Sequence, residues 1–304
     1  MKFVRSIKHF NLKIRSSTNF TLDLILVYQL VFFGYHSNVY ALCGLCILSQ
    51  PITFSGKAVT YMAEFWSGLK SDFIKCFITK NRWTFITDGL WATLKITLFS
   101  CLMGIAIGLI VAIIRSTYEQ NHKRMRKGFG KSVLCILNFI CNIYLTVIRG
   151  TPVVVQLMIM YYIIFASSSN GILIAVTAFG INSGAYVAEI FRSGIMSIDN
   201  GQFEAGRSLG FGYIKTMAYI IFPQAFKSVL PTLANEFIVL LKETSVAGYV
   251  AIQDLTKGGD IIRGATYETF MPLFAVAGIY LILVIFFTRL VNKLERRLRK
   301  SDNR

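Results

Sequence analysis

Charged and amide side chains inside an apolar stretch are the residues of this chain best suited to chemistry. In the apolar run 232–252, Asn235 and Lys242 are seven residues apart, and so are Glu236 and Glu243. Seven residues make about two helical turns, so each pair falls near one helix face. Lys242 lies about eleven residues into the run, roughly 16 Å of helix, close to the middle of a bilayer. A cation and a carboxylate at that depth could recognise the two charged ends of an amino acid.

The same four residues also fit arrangements that need no ligand. Lys242 and a carboxylate could form a mutual salt bridge. Alternatively, Glu236 and Glu243 could pair with Arg149 or Arg192 on neighbouring helices. The sequence leaves ligand binding and internal pairing open. Weaker candidates for substrate contacts are three further polar residues of apolar segments: Asn182, Thr151 and Gln156.

The histidines and cysteines do not form a catalytic or metal-binding set. His9, His36 and His122 are near termini or loops, and no acid-base constellation surrounds them. Cys43 and Cys46 form a C-x-x-C, but the sequence has no second pair and no histidine at metal-ligand spacing. We therefore predict no catalytic residue and no metal site.

A short glycine motif also falls short of a nucleotide site. Gly130-Lys131-Ser132 echoes the end of a phosphate-binding loop, which needs another glycine five residues earlier to wrap the phosphates. That position is Met125, and no strand precedes it. The chain is predicted to bind no cofactor of its own, so that any energy from ATP comes from a partner.

Composition indicates an all-α integral membrane protein. Of the 304 residues, 54% are hydrophobic and only 15% charged, too few charges to cover a soluble surface of this size. The run 96–114 has nineteen residues without a charge, enough to cross the hydrocarbon core as a helix. Regular alternation of apolar and polar residues, the mark of a membrane barrel, is nearly absent. Further apolar runs lie at 22–49, 150–188, 232–252 and 270–288.

The net charge of +17 indicates topology rather than nucleic-acid binding, because Lys and Arg concentrate beside the apolar runs. Basic blocks lie at 2–15, 115–131 and 289–304, and the positive-inside rule places all three in the cytoplasm. The same rule places the polar loop 201–231 there, since it carries Arg207, Lys215 and Lys227. Both termini are thus predicted to be cytoplasmic, in a multi-pass cell-membrane protein beside an anionic inner leaflet.

These fixed points predict six spans. The run 22–49 carries the chain outward and 86–114 brings it back. Three apolar pieces, 132–148, 152–169 and 171–190, then compete for the two crossings that must precede the polar loop. We assign 132–148 to an interfacial or broken approach, because a glycine and a proline follow it. As an alternative, 22–49 is a hairpin or a poorly inserted segment; it does not read as a cleavable signal.

Two helical patterns lie before and within the predicted span 86–114. Apolar residues recur at three- and four-residue intervals between the first two spans, which fits a helix in the membrane interface and, equally, an ordinary packing helix. Gly104 and Gly108 form a G-x-x-x-G, which predicts close helix packing. The interfacial pattern consists of Met62, Phe65, Trp66, Leu69, Phe73 and Phe77.

The polar loop reads GQFEAGRSLGFGYIKTMAYIIFPQAFKSVLP. Residues 204–209 can form a short helix that stops at Gly210, while Gly212 adds backbone freedom and Pro223 opens the next segment. A short helix held between glycine turns and two spans would move as a rigid lever. Its core, Glu204-Ala205-Gly206 followed by Gly210, Ile220 and Pro223, resembles the cytoplasmic EAA loop of ABC-transporter permeases.

From about residue 86 onward, the chain resembles a permease subunit of the polar amino-acid ABC importers, the histidine, glutamine, arginine and cystine group. In the polar loop, Gly206 and Phe222 depart from the alanine and leucine usual in the family. Besides the loop, three blocks carry the resemblance: Arg149-Gly150-Thr151-Pro152 with Gln156, Tyr161 and Tyr162; Asn182-Ser183-Gly184-Ala185-Tyr186 with Ala188-Glu189-Ile190 and Arg192; and Asn235-Glu236-Phe237 with Lys242-Glu243-Thr244-Ser245.

The resemblance implies a type I importer permease with a five-span core, here preceded by one additional N-terminal transmembrane helix. It implies three partners: separate ABC ATPase subunits, a second permease subunit and an extracellular or periplasmic amino-acid-binding protein. ATPase docking would use Glu204, Ala205, Gly206, Leu209 and Gly210. The alternative function is an ion-coupled secondary amino-acid transporter.

The expected domain organisation follows from the spans and the resemblance. It comprises a basic cytoplasmic N-terminus at 1–21, the extra span at 22–49, an external linker with the interfacial helix at 50–85, the permease core at 86–290 with its coupling loop at 199–230, and a basic cytoplasmic tail at 291–304.

Overall fold

A computed structural model describes residues 67–122 and 128–302, and this part of the chain consists of helices joined by short loops, with no strand. The expected all-α class is therefore confirmed. The predicted N-terminus 1–21, the extra span 22–49 and the linker as far as residue 66 lie outside the described residues, as do Met125 and Cys43 with Cys46. The helices are α1 Trp83–Asn121, α2 Phe129–Gly150, α3 Val153–Ile159, α4 Gly171–Met196, α5 Asn200–Ser208, α6 Tyr213–Thr216, α7 Phe222–Glu243, α8 Leu255–Thr266 and α9 Phe270–Asp302.

Shorter helical pieces join several of these elements. Helix α3 continues through the π-helical Met160–Ile164, and α6 continues through Met217–Ile221 into α7. A 3-10 stretch, Thr244–Val250, links α7 to the loop before α8. Before α1, a helix at 67–73 runs into a π-helical turn and a 3-10 turn.

Four of the described helices are long and apolar enough to cross a membrane: α1, α2, α4 and α9. Of the expected spans, 86–114, 171–190 and 270–288 fall within α1, α4 and α9. The run 232–252 covers the second half of α7 and the 3-10 stretch after it; α7 contains Pro231 and begins ten residues earlier than expected. The total of six spans stays a prediction.

The helix pair α1 and α4 forms the centre of the described bundle. The two helices run side by side in the same direction, since residues 100, 104 and 108 of α1 meet residues 176, 183 and 187 of α4. A Cβ on Gly104 would lie 2.9 Å from Ser183 Oγ, and one on Gly108 would lie 2.6 Å from Val187 Cγ1. The two glycines therefore admit the partner helix, which confirms the predicted close packing.

The segment 132–148 is part of one continuous helix, α2, and the predicted interruption comes only after Gly150. By length and composition α2 matches a span. Its C-terminal end, however, contacts the same end of α1 and α4 to which its N-terminus is tied. Arg149 pairs with Glu189 of α4, and Gly128 is joined to His122 by six peptide units, about 22 Å at full extension. These contacts favour an approach rather than a full crossing, which stays a prediction.

The segment 152–169, expected to be a crossing, contains a helix that ends at Ile164. From Val153 to Ile164 the helix has twelve residues, roughly 18 Å, which is shorter than the hydrocarbon core. Its inner face is nevertheless well packed. Leu157 is fully buried, in a cluster with Ile96 of α1 and Phe179 of α4. Helix α3 thus lies beside the N-terminal halves of α1 and α4.

The segment before α1 packs onto the end of the bundle. Cys76 and Phe77 are buried with Leu255 and Ile262 of α8, whereas Phe73 is half exposed. The Lys75 Nζ donates to Glu268 Oε1 at 2.9 Å, and this partner raises the pKa of Lys75. The described part of the pattern therefore has a packing face, and its place in a membrane interface stays a prediction.

Candidate functional site

The polar loop folds as a short helix with defined ends. The Asp199 carboxylate accepts a hydrogen bond from Gly201 N at 2.8 Å and caps the first turn of α5. The helix ends at Ser208 and is followed by Leu209 and Gly210; the φ of +79° at Gly210 is a left-handed conformation that favours glycine. Beyond it, Phe211 N donates to Gly206 O at 3.0 Å, which closes the C-terminal turn. The helix and stop predicted for 204–210 are both present.

The predicted docking residues divide between the two faces of this helix. Glu204, Ala205, Leu209 and Gly210 are exposed, and 72% of Leu209 is accessible. Gly206 is buried, and a Cβ at this position would lie 2.6 Å from Thr216 Cγ2. The residue that departs from the family's alanine therefore lies underneath the exposed face, where it lets α6 approach α5.

An apolar cluster fixes α5 to the bundle. Phe203 is buried against Ile195 at the end of α4, against Ile221 just before α7 and against Ala225 in the first turn of α7. The hydroxyl of Tyr213 lies 3.4 Å from Thr117 Oγ1 on α1. Helix α5 is thus packed against the ends of α4 and α7, and the following helix α6 contacts α1.

Phe222, the second departure from the family pattern, belongs to an aromatic group. Its ring lies 6.4 Å from that of Phe191 on α4 and 6.1 Å from that of Phe226 on α7, measured between centroids. The larger side chain thus joins the two helices that flank the loop.

Glu236 contacts Ser183, which was not among the predicted substrate contacts. Ser183 Oγ of α4 donates to Glu236 Oε1 of α7 at 3.1 Å. Asn182, the neighbour of Ser183, is almost fully buried, whereas Asn235 and Lys242 are exposed. Ser183 stands in the family block 182–186, and that block was the signal for it. The contact brings the two helices that flank the polar loop together at a carboxylate.

Lys242 lies in the last turn of α7, and its depth close to the middle of a bilayer stays a prediction. It is the twenty-first of the 22 residues of α7, because the helix begins at Phe222. Glu243 is the final residue of the helix. Both side chains therefore lie at the end of α7 away from the polar loop. Glu236, two turns earlier, is the carboxylate closer to the middle of α7.

Thr151 and Gln156 join two helices. Gln156 Nε2 donates to Ile148 O at 2.7 Å and to Thr151 Oγ1 at 2.8 Å. These bonds bridge the break between α2 and α3 and satisfy carbonyl groups that the break at Pro152 leaves open. Their role as substrate contacts stays a prediction.

The arginines that were open partners for Glu236 and Glu243 pair with Glu189 instead. Arg192 donates from Nε to Glu189 Oε1 at 3.1 Å, and Arg149 Nη1 lies 3.9 Å from Glu189 Oε2. Arg115 of α1 lies 3.5 Å from the same oxygen. Ion pairing thus joins α1, α2 and α4 near the loop, and Glu236 keeps its serine partner.

The chain matches known proteins over most of its length. A sequence profile described as binding-protein-dependent transport system inner membrane component matches residues 104–300. The arginine transport system permease protein ArtQ of Bacillus subtilis is 35% identical over 72% of this chain and 94% of its own length. The glutamine transport system permease protein GlnP of Escherichia coli is 34% identical over 67% of this chain and 90% of its own length.

A solved structure supports the same relationship. The crystal structure of an amino acid ABC transporter with histidines superposes with a TM-score of 0.62 at 38% identity, covering 73% of this chain and 98% of that chain. The likeness confirms the expected fold class, and a secondary transporter is not favoured. The exposed helix of the polar loop, the close α1–α4 pair and the α4–α7 contact thus stand in a chain that belongs to the family of binding-protein-dependent transport system inner membrane components.

Proposed function

We propose that this chain is the transmembrane subunit of an ATP-driven importer, that α5 docks a separate ATPase, and that the substrate is a polar amino acid. The observation that carries the proposal is the construction of α5. Its outer face presents Leu209 and Glu204 to a partner, while Phe203 ties its inner face to α4 and α7. A surface that is exposed yet anchored suits a helix that must transmit force.

The contacts suggest how docking would act on the transport path. ATP binding closes the two ATPases and draws the two docked helices together, and hydrolysis releases them. Since α5 is packed on the ends of α4 and α7, its movement changes the angle between these helices. That angle controls access to the region around Ser183 and Glu236. Coupling requires that ATP and substrate each prefer one of the two states.

The proposed partners follow from this arrangement. A second permease subunit, identical or related, completes the pathway, and an external binding protein delivers the amino acid. The relatives named for arginine and glutamine transport support a polar amino acid as substrate. Candidate contacts along the path are Asn182, Asn235 and Glu236, with Lys242 and Glu243 at the end of α7 away from the polar loop. Orientation with both termini in the cytoplasm places α5 where an ATPase is available.

Co-purification with candidate ATPases tests the docking. Gly210→Asp should leave the protein inserted in the membrane but abolish ATPase binding. A side chain at this position makes the φ of +79° after α5 unfavourable, so the turn that shapes the docking face is disturbed. Gly212→Asp is the matched control, since it adds the same charge two residues away, at a φ of −69° and with no atom within 4 Å of the new Cβ. We expect the control to keep most of the binding.

A second variant tests the docking face without changing the backbone conformation of the turn. Leu209→Asp changes a side chain that is 72% exposed, so the interior of the protein is undisturbed while the docking face becomes acidic. Normal ATPase recovery with both Gly210→Asp and Leu209→Asp would contradict the docking role. With the ATPase bound, the amino acid that stimulates ATP hydrolysis in the presence of its binding protein identifies the substrate.

A further inference from the structure

A polar cavity of about 480 Å³, widely open to the surface, lies between α1, α2 and α4. Arg115 of α1 and Arg149 of α2 line it together with Asn142, Thr146 and Tyr186. The guanidinium of Arg149 also lies over the Tyr186 ring, 5.8 Å from its centroid. Two guanidinium groups, one amide and two hydroxyl groups thus line the same cavity.

The arginines of this cavity have hydrogen-bonding capacity to spare. Their common neighbour is Glu189 Oε2, at 3.5 Å from Arg115 and 3.9 Å from Arg149, distances of loose ion pairs. The other oxygen of Glu189 already accepts from Arg192. Arg115 Nε is buried, and among the described residues no group accepts its hydrogen bond. Counting Glu119, which pairs with Arg115 and Arg192, three guanidinium groups surround two carboxylates and leave one positive charge in excess.

The residues around the cavity fit a position at the edge of a membrane. Arg115 is the first charged residue after the charge-free run 96–114. Helix α2 turns Asn142, Thr146 and Arg149 toward the cavity and leaves an adjoining apolar face open. About half or more of each side chain on that face is exposed: Phe139, Ile140, Ile143 and Val147. A polar cavity beside an open apolar surface matches a ligand with an anionic head and an acyl tail.

We propose that this cavity binds the phosphate group of an anionic phospholipid from the cytoplasmic leaflet. The arginine forks of Arg115 and Arg149 match phosphate oxygens, and Asn142 and Thr146 offer further hydrogen bonds. The acyl chains lie along the apolar face of α2. Basic pockets between helices on the cytoplasmic side favour such headgroups. The site rests on the cytoplasmic orientation of the Arg115 end and is independent of ATPase docking.

Lipid retention by the full-length chain, purified in detergent, tests this site by native mass spectrometry. The protein is incubated with phosphatidylglycerol, with zwitterionic phosphatidylcholine, or with inorganic phosphate. We expect preferential retention of phosphatidylglycerol. Arg149→Gln should lower that retention on the order of tenfold, since a charge-assisted hydrogen bond is lost.

Two further variants separate lipid binding from folding. Asn142→Asp changes an exposed residue and places a negative charge in the cavity, so it should also abolish the preference. Lys131→Gln removes the same charge as Arg149→Gln, but eighteen residues away along α2, and should retain the lipid. Equal retention of both lipids by the unchanged protein would overturn the proposal, as would a phosphatidylglycerol preference that survives both cavity variants. Retention of inorganic phosphate without phosphatidylglycerol would assign the cavity to a soluble anion and overturn the lipid.

Discussion

Replacing Gly206 by alanine, the residue usual in the family, should destabilise the polar loop of this chain. The added Cβ would lie 2.6 Å from Thr216 Cγ2 and 2.7 Å from Thr216 Oγ1. Threonine carries two heavy atoms on its Cβ, so rotation about χ1 can move only one of them away. Thr216 itself is almost fully buried and has little room to shift. The chain is therefore expected to need glycine here because threonine stands opposite.

The expected loss follows from two opposing effects. Overpacking of this kind costs about 2 kcal/mol. Alanine in place of glycine inside a helix restores about 1 kcal/mol. The net loss is then about 1 kcal/mol, roughly a fivefold rise in the population of the locally open loop. Hydrogen exchange of the α5 amides measures this local opening directly.

A compensating substitution tests the reason for the loss. Thr216→Ala removes both atoms that would clash, together with a buried hydroxyl that has no partner among the described residues. The double variant Gly206→Ala/Thr216→Ala should recover the protection of α5, which gives a coupling of about 2 kcal/mol in a double-mutant cycle. Gly201→Ala is the matched control on the same helix, because its new Cβ would meet Asp199 Oδ1 at an ordinary 3.5 Å. If Gly206→Ala protects α5 as much as Gly201→Ala does, the steric reasoning is refuted.

Three other predictions concern the contact between α1 and α4 and the helix α8. Gly108→Ala should lower the melting temperature, because its Cβ would lie 2.8 Å from the backbone nitrogen of residue 188, whereas Gly278→Ala, with no atom within 4 Å, should not. Asp254→Ala should destabilise by about 1 kcal/mol in thermal unfolding, since Asp254 caps α8 through the amides of residues 256 and 257; unchanged melting would contradict that role. Hydrogen bonding to Arg263 lowers the pKa of Asp260. That pair should therefore stabilise above the ordinary aspartate pKa and lose its contribution as the pH falls below about 4, an acid sensitivity that Asp260→Asn should reduce.

The sequence predicted the features that depend on local pattern. Charge-free runs, basic flanks and the glycine pair of α1 identified a helical membrane protein and one close helix contact. The stop at Gly210 was predictable because a left-handed residue at a helix end is a local requirement. The motif blocks identified the family, since their order and spacing are properties of the sequence alone.

The partner of each polar residue, by contrast, depends on how helices far apart in sequence align. Glu236 meets Ser183, fifty-three residues away, and Arg149 and Arg192 meet Glu189 rather than Glu236. Apolar periodicity gives the buried face of a helix but not the axial register between two helices. It therefore could not choose among the possible pairings.

The sequence by itself determined that this chain is a helical permease with a polar loop, because composition, charge placement and motif spacing do not depend on tertiary contacts. Only the tertiary structure decided which residues of that loop face outward. Gly206 and Glu204 are two positions apart on one short helix, yet one lies beneath α6 and the other faces solvent. That division arises from the packing of α5 against Thr216 and the ends of α4 and α7, contacts that no linear pattern specifies.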